Sequence, residues 1–264
     1  MIAYTPPAHF NLRTIMNSGQ CFRIFEPEHN VFDVLARDMW VRAYYNEKMG
    51  VYFFDCSELE FADWQRYFDL YTDYQSFFDA IEASDDAFLK DAAAYGDGMR
   101  ILRQSYWESL VSFIISQNNN IPRIKKTIEA FCKKFGDPLE GYGLTYYGFP
   151  GYTAMKNIKL EDLSDLGLGY RAQYIYNVCT CNFDLLAHPT YKNLLTITGI
   201  GPKVASCIML FGRHDLTQCP IDTWMKKILH EVYNDNFDFT PYHGFEGFIQ
   251  QLMFYYYRHL KARD

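Results

Sequence analysis

The 264-residue chain lacks long apolar runs, a basic leader and any regular spacing of cysteines. No uncharged apolar stretch approaches the roughly 18 residues of a membrane-spanning helix, so no transmembrane segment and no membrane partner are expected. Residues 1–20 have neither the basic start nor the apolar core of a secretory signal, so an intracellular location is expected, the cytoplasm in a prokaryote. The seven cysteines, at 21, 56, 132, 179, 181, 207 and 219, are odd in number and scattered, which fits reduced thiols and not a disulfide framework. Internal repeats and low-complexity segments are absent. With 49% hydrophobic and 22% charged residues, the composition excludes an extended disordered chain and allows a sizeable core.

An excess of positive charge is missing too: the net charge is −7. Its distribution is uneven. Residues 1–98 carry 7 Lys/Arg against 17 Asp/Glu, residues 99–134 carry 7 against 2, and residues 135–264 carry 11 against 13. The overall sign speaks weakly against nucleic acid as a partner, and the basic island at 99–134 keeps it open.

Residues 20–56 read as strands. CFRIF, VFDVLA, MWVRAYY and VYFFDC are rich in aromatic and β-branched residues, and PEHN, RD and NEKMG separate them as short turns, which favours an antiparallel meander. Beyond residue 57 the apolar period becomes helical, through Phe61, Trp64, Phe68 and Tyr71 and then Phe77, Phe78 and Ile81. Helices are expected near 99–117, 122–135, 160–182, 190–198, 202–212, 223–233 and 244–260, with 141–152 as an irregular loop. The class is α+β: an antiparallel sheet domain over 1–98 and a mainly helical domain over 99–264.

The stretch LLTITGIGPKVASCIMLFG, residues 194–212, carries the strongest signal. An apolar helix ends at Thr198, Gly199-Ile200-Gly201 turns the chain, and Pro202 opens the next helix. Such a turn aims backbone N–H groups outward at a helix N-terminus, where a phosphate can sit, although Gly199 and Gly201 alone also fit an ordinary αα-hairpin. Lys203 lies in the first turn of the second helix, facing the positive end of its dipole and flanked by Val204 and Ala205. Dipole and partial burial both disfavour the ammonium form, which suits an amine nucleophile; a solvated lysine is the plain alternative. Cys207 falls on the same helical face, as a pocket residue or simply as core. Asp222 precedes a helical run as an N-cap, and a capping carboxylate can also stabilise a developing cation.

With these residues in place the chain resembles the helix-hairpin-helix superfamily of base-excision DNA glycosylases, and within it the 8-oxoguanine DNA glycosylase/AP lyases. The resemblance rests on Asn17-Ser18-Gly19-Gln20-Cys21-Phe22-Arg23, on Met99 to Gln104, on Phe113 to Arg123 with its triple asparagine, on Leu166-Gly167-Leu168-Gly169-Tyr170-Arg171, and on Gly247 to Phe254. It implies double-stranded DNA bearing 8-oxoguanine opposite cytosine as the partner, a monomeric enzyme and no required cofactor. It assigns Lys203 as Schiff-base nucleophile and Asp222 as the essential carboxylate. Gly19, Cys207, Gln250 and Phe254 would line the base pocket. Asn118 would fill the hole left in the duplex and Tyr170 would wedge it, while Arg123 and Arg171 would read the unpaired cytosine. Gly199, Gly201 and Trp224 would lie on the DNA backbone. A structural cation on the carbonyls of Leu195, Ile197 and Ile200 is a further implication.

Elementary chemistry fits these roles. Gln250 and Phe254 are i,i+4, so one helical face offers an amide for a base edge and a ring for its plane. Gly19 has no Cβ, so its carbonyl can approach a ligand closely. 8-Oxoguanine carries N7–H where guanine has a bare acceptor, a difference worth about 1–3 kcal/mol against that carbonyl. Trp224 departs from the histidine common at its position, which puts the phosphate contact there in question. No cysteine follows Cys219, so an iron–sulfur cluster is not expected. The rival readings are a glycosylase for alkylated bases, which would generally lack a lysine at 203, and a non-catalytic DNA-binding module.

Overall fold

The computed structural model describes residues 1–181 and 189–262, so residue 182, the last of the helix expected over 160–182, and the terminal pair 263–264 lie outside the described residues. Five antiparallel strands form a sheet in the order β1-β5-β4-β3-β2: β1 Ile2–Tyr4, β2 Ile24–Glu28, β3 Val31–Ala36, β4 Met39–Asn46 and β5 Val51–Phe54. The last four match the meander; β1 and the helix Leu12–Asn17 were not expected from their short, mixed sequences. One face of the sheet presents Phe32, Val34, Val41, Ala43, Tyr52 and Phe54 to Phe61, Trp64 and Phe68, closing a first core.

The other face explains the main departure from expectation. Residues 141–152, expected as a loop, contribute to a hairpin of β6 Pro138–Gly141 and β7 Leu144–Tyr147, turned at Tyr142 and Gly143 with φ of 54° and 71°. The hairpin lies across the sheet: Tyr146 Oη donates to Asp33 at 3.1 Å, and the Arg42 guanidinium sits 4.1 Å from the centre of the Tyr142 ring. Asp33 is fully buried by this cover and accepts two bonds of 2.7 Å from Arg42, its register partner. The strands of the hairpin have little alternation of their own; their support is tertiary.

Four helical spans are shorter or more broken than their patterns suggested. The expected 99–117 helix runs from Tyr106 to Ile115. Residues 101–103 are held extended because Ile101 N bonds Tyr74 Oη, Leu102 N bonds Gln20 Oε1 and Arg103 N bonds the Tyr67 carbonyl. The 160–182 span divides into a 3-10 turn, Leu160–Leu166, and a helix, Arg171–Thr180, around Gly167 and Gly169 at positive φ. The 190–198 span holds a short helix, Tyr191–Leu194, before the hairpin turn, and 202–212 is α-helical only through Pro202–Cys207, then π-helical over Ile208–Gly212.

A second, larger core joins these helices to Thr223–Tyr233 and Glu246–Lys261. It also takes in Phe22, Tyr74, Ile81, Leu89 and Ala92, so the helices Gln75–Glu82 and Ala87–Tyr95 bury their apolar faces with the helical body although they fall within 1–98. Side chains from both ends of the chain are therefore packed in one core, which gives them a fixed relation.

Candidate active site

Gly199 turns the hairpin at φ 102°, and a Cβ there would lie 2.3 Å from Cγ of Tyr174, so only glycine fits. A Cβ on Gly201 would meet nothing within 4 Å, leaving backbone open beside Pro202. The helix that Pro202 begins presents Lys203 half-buried, its Nζ 5.7 Å from the centre of the Phe113 ring. One turn on, burial pushes the Cys207 thiol's pKa up, while the nearby Lys203 charge pulls it the other way. Gly212, ending the π-turn, packs within 3.0 Å of Ser109 and 3.1 Å of Tyr106, measured from the position of a Cβ, so the lysine helix is locked to Tyr106–Ile115.

Asp222 caps Thr223–Tyr233, accepting from Met225 N at 2.8 Å. Its carboxylate also acts electrostatically on Cys207 and on Arg258. Lys203, Cys207 and Asp222 thus share one neighbourhood, as the motifs required.

The opposite wall is built by Ser18-Gly19-Gln20. The Gln20 amide is fully buried and clamps the extended segment, donating to the Arg100 carbonyl at 2.8 Å and accepting from Leu102 N at 2.8 Å. Gly19 sits at φ 86°, and a Cβ there would lie 3.2 Å from Phe254 Cε1, 3.5 Å from Arg258 Nη1 and 3.8 Å from Ile121 Cδ1. Gln250, one turn before Phe254, is 4% exposed, and its buried Oε1 has no hydrogen-bond partner among the described residues. An acceptor left in that condition costs free energy unless a ligand supplies the donor.

Several of the residues expected to face DNA lie on turns tied to one another. Asn118 projects from the triple-asparagine turn at φ 45° and donates to Tyr170 Oη at 3.1 Å, with Tyr170 47% exposed. Asn120 is spent as the N-cap of Ile121–Phe135, accepting from Arg123 N, and Asn119 bonds the Ile115 carbonyl. Gln117 Nε2 donates to the Gly199 carbonyl at 2.9 Å, tying this turn to the hairpin. The two arginines are placed differently. Arg123 is exposed, with one long bond of 3.3 Å to the Gly167 carbonyl. Arg171 is 6% exposed and its guanidinium is engaged beneath the turn, by the carbonyls of Gln117, Asn118 and Leu168. Trp224 is half-buried, edge-on to Tyr257 at 6.2 Å, with Lys227 Nζ 5.4 Å from its ring centre. Leu195, Ile197 and Ile200 line a cavity of about 420 Å³ with Gln117, Tyr174 and Gly201.

Phe113 under Lys203, the clamping amide of Gln20, and Gln251 stood inside the motifs with no role assigned to them, and Arg258 lay outside them. Gln250-Gln251 did carry a signal, two adjacent amides in an apolar helix, one facing the pocket and one the wall that forms it.

Residues 111–241 match the HhH-GPD superfamily of base excision DNA repair proteins, which defines the class. Residues 3–110 match the N-terminal domain of 8-oxoguanine DNA glycosylase. The structure of MBOgg1 in complex with a low-affinity DNA ligand superposes with a TM-score of 0.88 at 35% identity, covering 98% of this chain and 96% of that one. The 8-oxoguanine glycosylase/lyase of Clostridium acetobutylicum, in complex with double-stranded DNA containing cytosine opposite 8-oxoguanine, gives 0.86 at 34% identity, over 96% and 93% of the two chains. The N-glycosylase/DNA lyase of Saccharomyces cerevisiae is 32% identical over 191 residues, 64% of this chain and 50% of the yeast protein. The chain spans about half the length of the curated relatives it matches, 50% and 43% for the first two. It belongs to the 8-oxoguanine DNA glycosylase family.

Proposed function

We propose that the protein excises 8-oxoguanine from duplex DNA, opposite cytosine, and then cleaves the strand at the abasic site. The observations that support this reading are Lys203 and Asp222 around Cys207, and Gly19 against Phe254 near the unpartnered Gln250 acceptor, with Arg258 placed at Gly19 and within the field of Asp222. The lesion is extruded from the stack into the space between these two groups of residues. Gln250 Oε1 takes a donor from the Watson–Crick edge, the Gly19 carbonyl takes N7–H, and Phe254 supports the base plane. Asp222, oriented as a cap, opposes the positive charge that grows on the sugar as the glycosidic bond breaks. The Lys203 amine bonds to C1′ as the C1′–N9 bond to the base breaks. The nitrogen loses a proton and the C1′–O4′ bond opens, with O4′ protonated, to give a Schiff base from which a proton is lost at C2′ and the 3′ phosphate is expelled. Asn118 and Tyr170 occupy the gap in the duplex, and Gly199 and Gly201 hold its backbone. These steps draw on the side-chain and backbone groups of the chain itself and call on no cofactor.

A structural cation on the carbonyls of Leu195, Ile197 and Ile200 is part of the proposal. The cavity they line supports it, and the Ile197 carbonyl also accepts from Ile200 N at 3.0 Å, which leaves a second lone pair for a cation. Exchange into a large organic cation should weaken DNA binding; unchanged affinity would remove the ion from the account.

The test of function is cleavage of labelled duplexes carrying 8-oxoguanine, an alkylated base or uracil. The reading requires preference for 8-oxoguanine, and preference for the alkylated duplex would favour its nearest rival.

A further inference from the structure

Arg258 lies one helical turn beyond Phe254 and two beyond Gln250, on the face that lines the base pocket. Its guanidinium carbon is 5.1 Å from the centre of the Phe254 ring, and its Nη1 is 3.5 Å from where a Cβ on Gly19 would stand. Among the described residues its side chain makes no hydrogen bond and no ion pair. Asp222 acts on it electrostatically from beyond ion-pair distance. The contrast with the chain's other enclosed arginines is direct: Arg23, Arg100 and Arg171 bond to carboxylates or backbone carbonyls. This half-buried guanidinium therefore keeps its donors available for an acceptor brought to the site.

What arrives at Gly19, on the function proposed above, is the edge of a flipped purine. On 8-oxoguanine that edge runs O6, N7–H, O8: an acceptor, a donor and an acceptor. The Gly19 carbonyl suits the central donor. The group flanking that glycine on the pocket wall is a donor, and the atoms flanking N7 on the base are carbonyl oxygens. We infer that Arg258 is a specificity-determining residue of the base pocket, donating to a carbonyl oxygen beside N7 of the oxidised base. The Phe254 ring beside the guanidinium favours a cation there, and the Asp222 charge makes the site tolerant of it.

The same donors could instead meet a phosphate of the flipped nucleotide, and the experiment separates the two. Single-turnover base release from an 8-oxoguanine:cytosine duplex is measured beside strand cleavage at a preformed abasic site in the same sequence, for the full chain and for Arg258→Met and Arg258→Lys, with thermal melting of each. The expected result is that Arg258→Met lowers the ratio of base release to abasic cleavage by about tenfold, as loss of one charge-assisted bond implies, and that Arg258→Lys recovers part of it. Equal losses in both assays, with a shallower salt dependence of binding, would assign the residue to a phosphate and overturn the inference. Unchanged base release would overturn it as well. If the unaltered protein releases no 8-oxoguanine at all, the proposed function fails and takes the inference with it.

Discussion

Gln251 Nε2 donates to the Ser18 carbonyl at 2.6 Å, a buried bond between the C-terminal helix and the turn that carries Gly19. The residue beside it in sequence, Gln250, leaves a buried Oε1 without a partner among the described residues, while Gln251 fixes the turn that carries Gly19. On the proposed function, selection of N7–H by the Gly19 carbonyl requires that this backbone be held.

Replacing Gln251 with Leu leaves the Ser18 carbonyl without this donor, at a cost of about 1–3 kcal/mol. Base release from an 8-oxoguanine duplex should fall on the order of tenfold, with a smaller loss of affinity for a duplex carrying an abasic analogue. Equal losses in the two measurements would reduce Gln251 to a general packing role.

The two arginines expected to read cytosine should separate under mutation. Arg123 has free donors, so Arg123→Ala should flatten the preference for cytosine over adenine opposite the lesion, by about 1–3 kcal/mol per lost contact. Arg171 supports the carbonyls of Gln117 and Asn118 from beneath, so Arg171→Ala should loosen the turn and weaken cleavage by a similar factor with all four opposite bases. Cleavage against the four bases checks both. A cytosine-specific loss in Arg171→Ala would return it to direct reading.

Asp69 anchors the extended segment to the loop after the lysine helix. Its side chain is fully buried and accepts from Arg103 at 2.6 Å and Tyr74 Oη at 3.1 Å, with His214 Nε2, which bonds the Ile101 carbonyl at 3.0 Å, standing 3.1 Å from the carboxylate. Burial raises its pKa, but His214 and then Arg103 outweigh burial and hold it below the ordinary value. A depressed carboxylate contributes stability above its unfolded pKa and loses it as pH falls through the folded one. Asp69→Asn should therefore cost about 2–4 kcal/mol near neutrality, discounted because Arg103 is 43% exposed. The gap in melting temperature between the two proteins should narrow below pH of about 4. A gap that widens on acidification would contradict the assignment.

The readable parts of the molecule were those fixed by local chemistry. Gly199, Pro202 and Asp222 mark a turn, a helix start and a cap by backbone requirements alone, so the hairpin and the helix after it could be placed. Strands β2 to β5 could be read because short turns separate them. What stayed hidden depends on distant partners. Residues 138–147 become a hairpin because Asp33, Trp40 and Arg42 receive them. Residues 101–103 are drawn out of a helix by Gln20, Tyr74 and Tyr67. Arg258 looks like an ordinary charge near the end of an amphipathic helix until Gly19, from the other end of the chain, is set beside it.

The central claim is that Lys203 forms a covalent bond to the sugar from which the oxidised base is removed. Borohydride reduction during turnover on an 8-oxoguanine:cytosine duplex tests it most directly. The unaltered protein should be trapped as a protein–DNA adduct, and Lys203→Gln should bind the same duplex and give none. An undiminished adduct in Lys203→Gln, or base release by the unaltered protein with no adduct at all, would contradict the account.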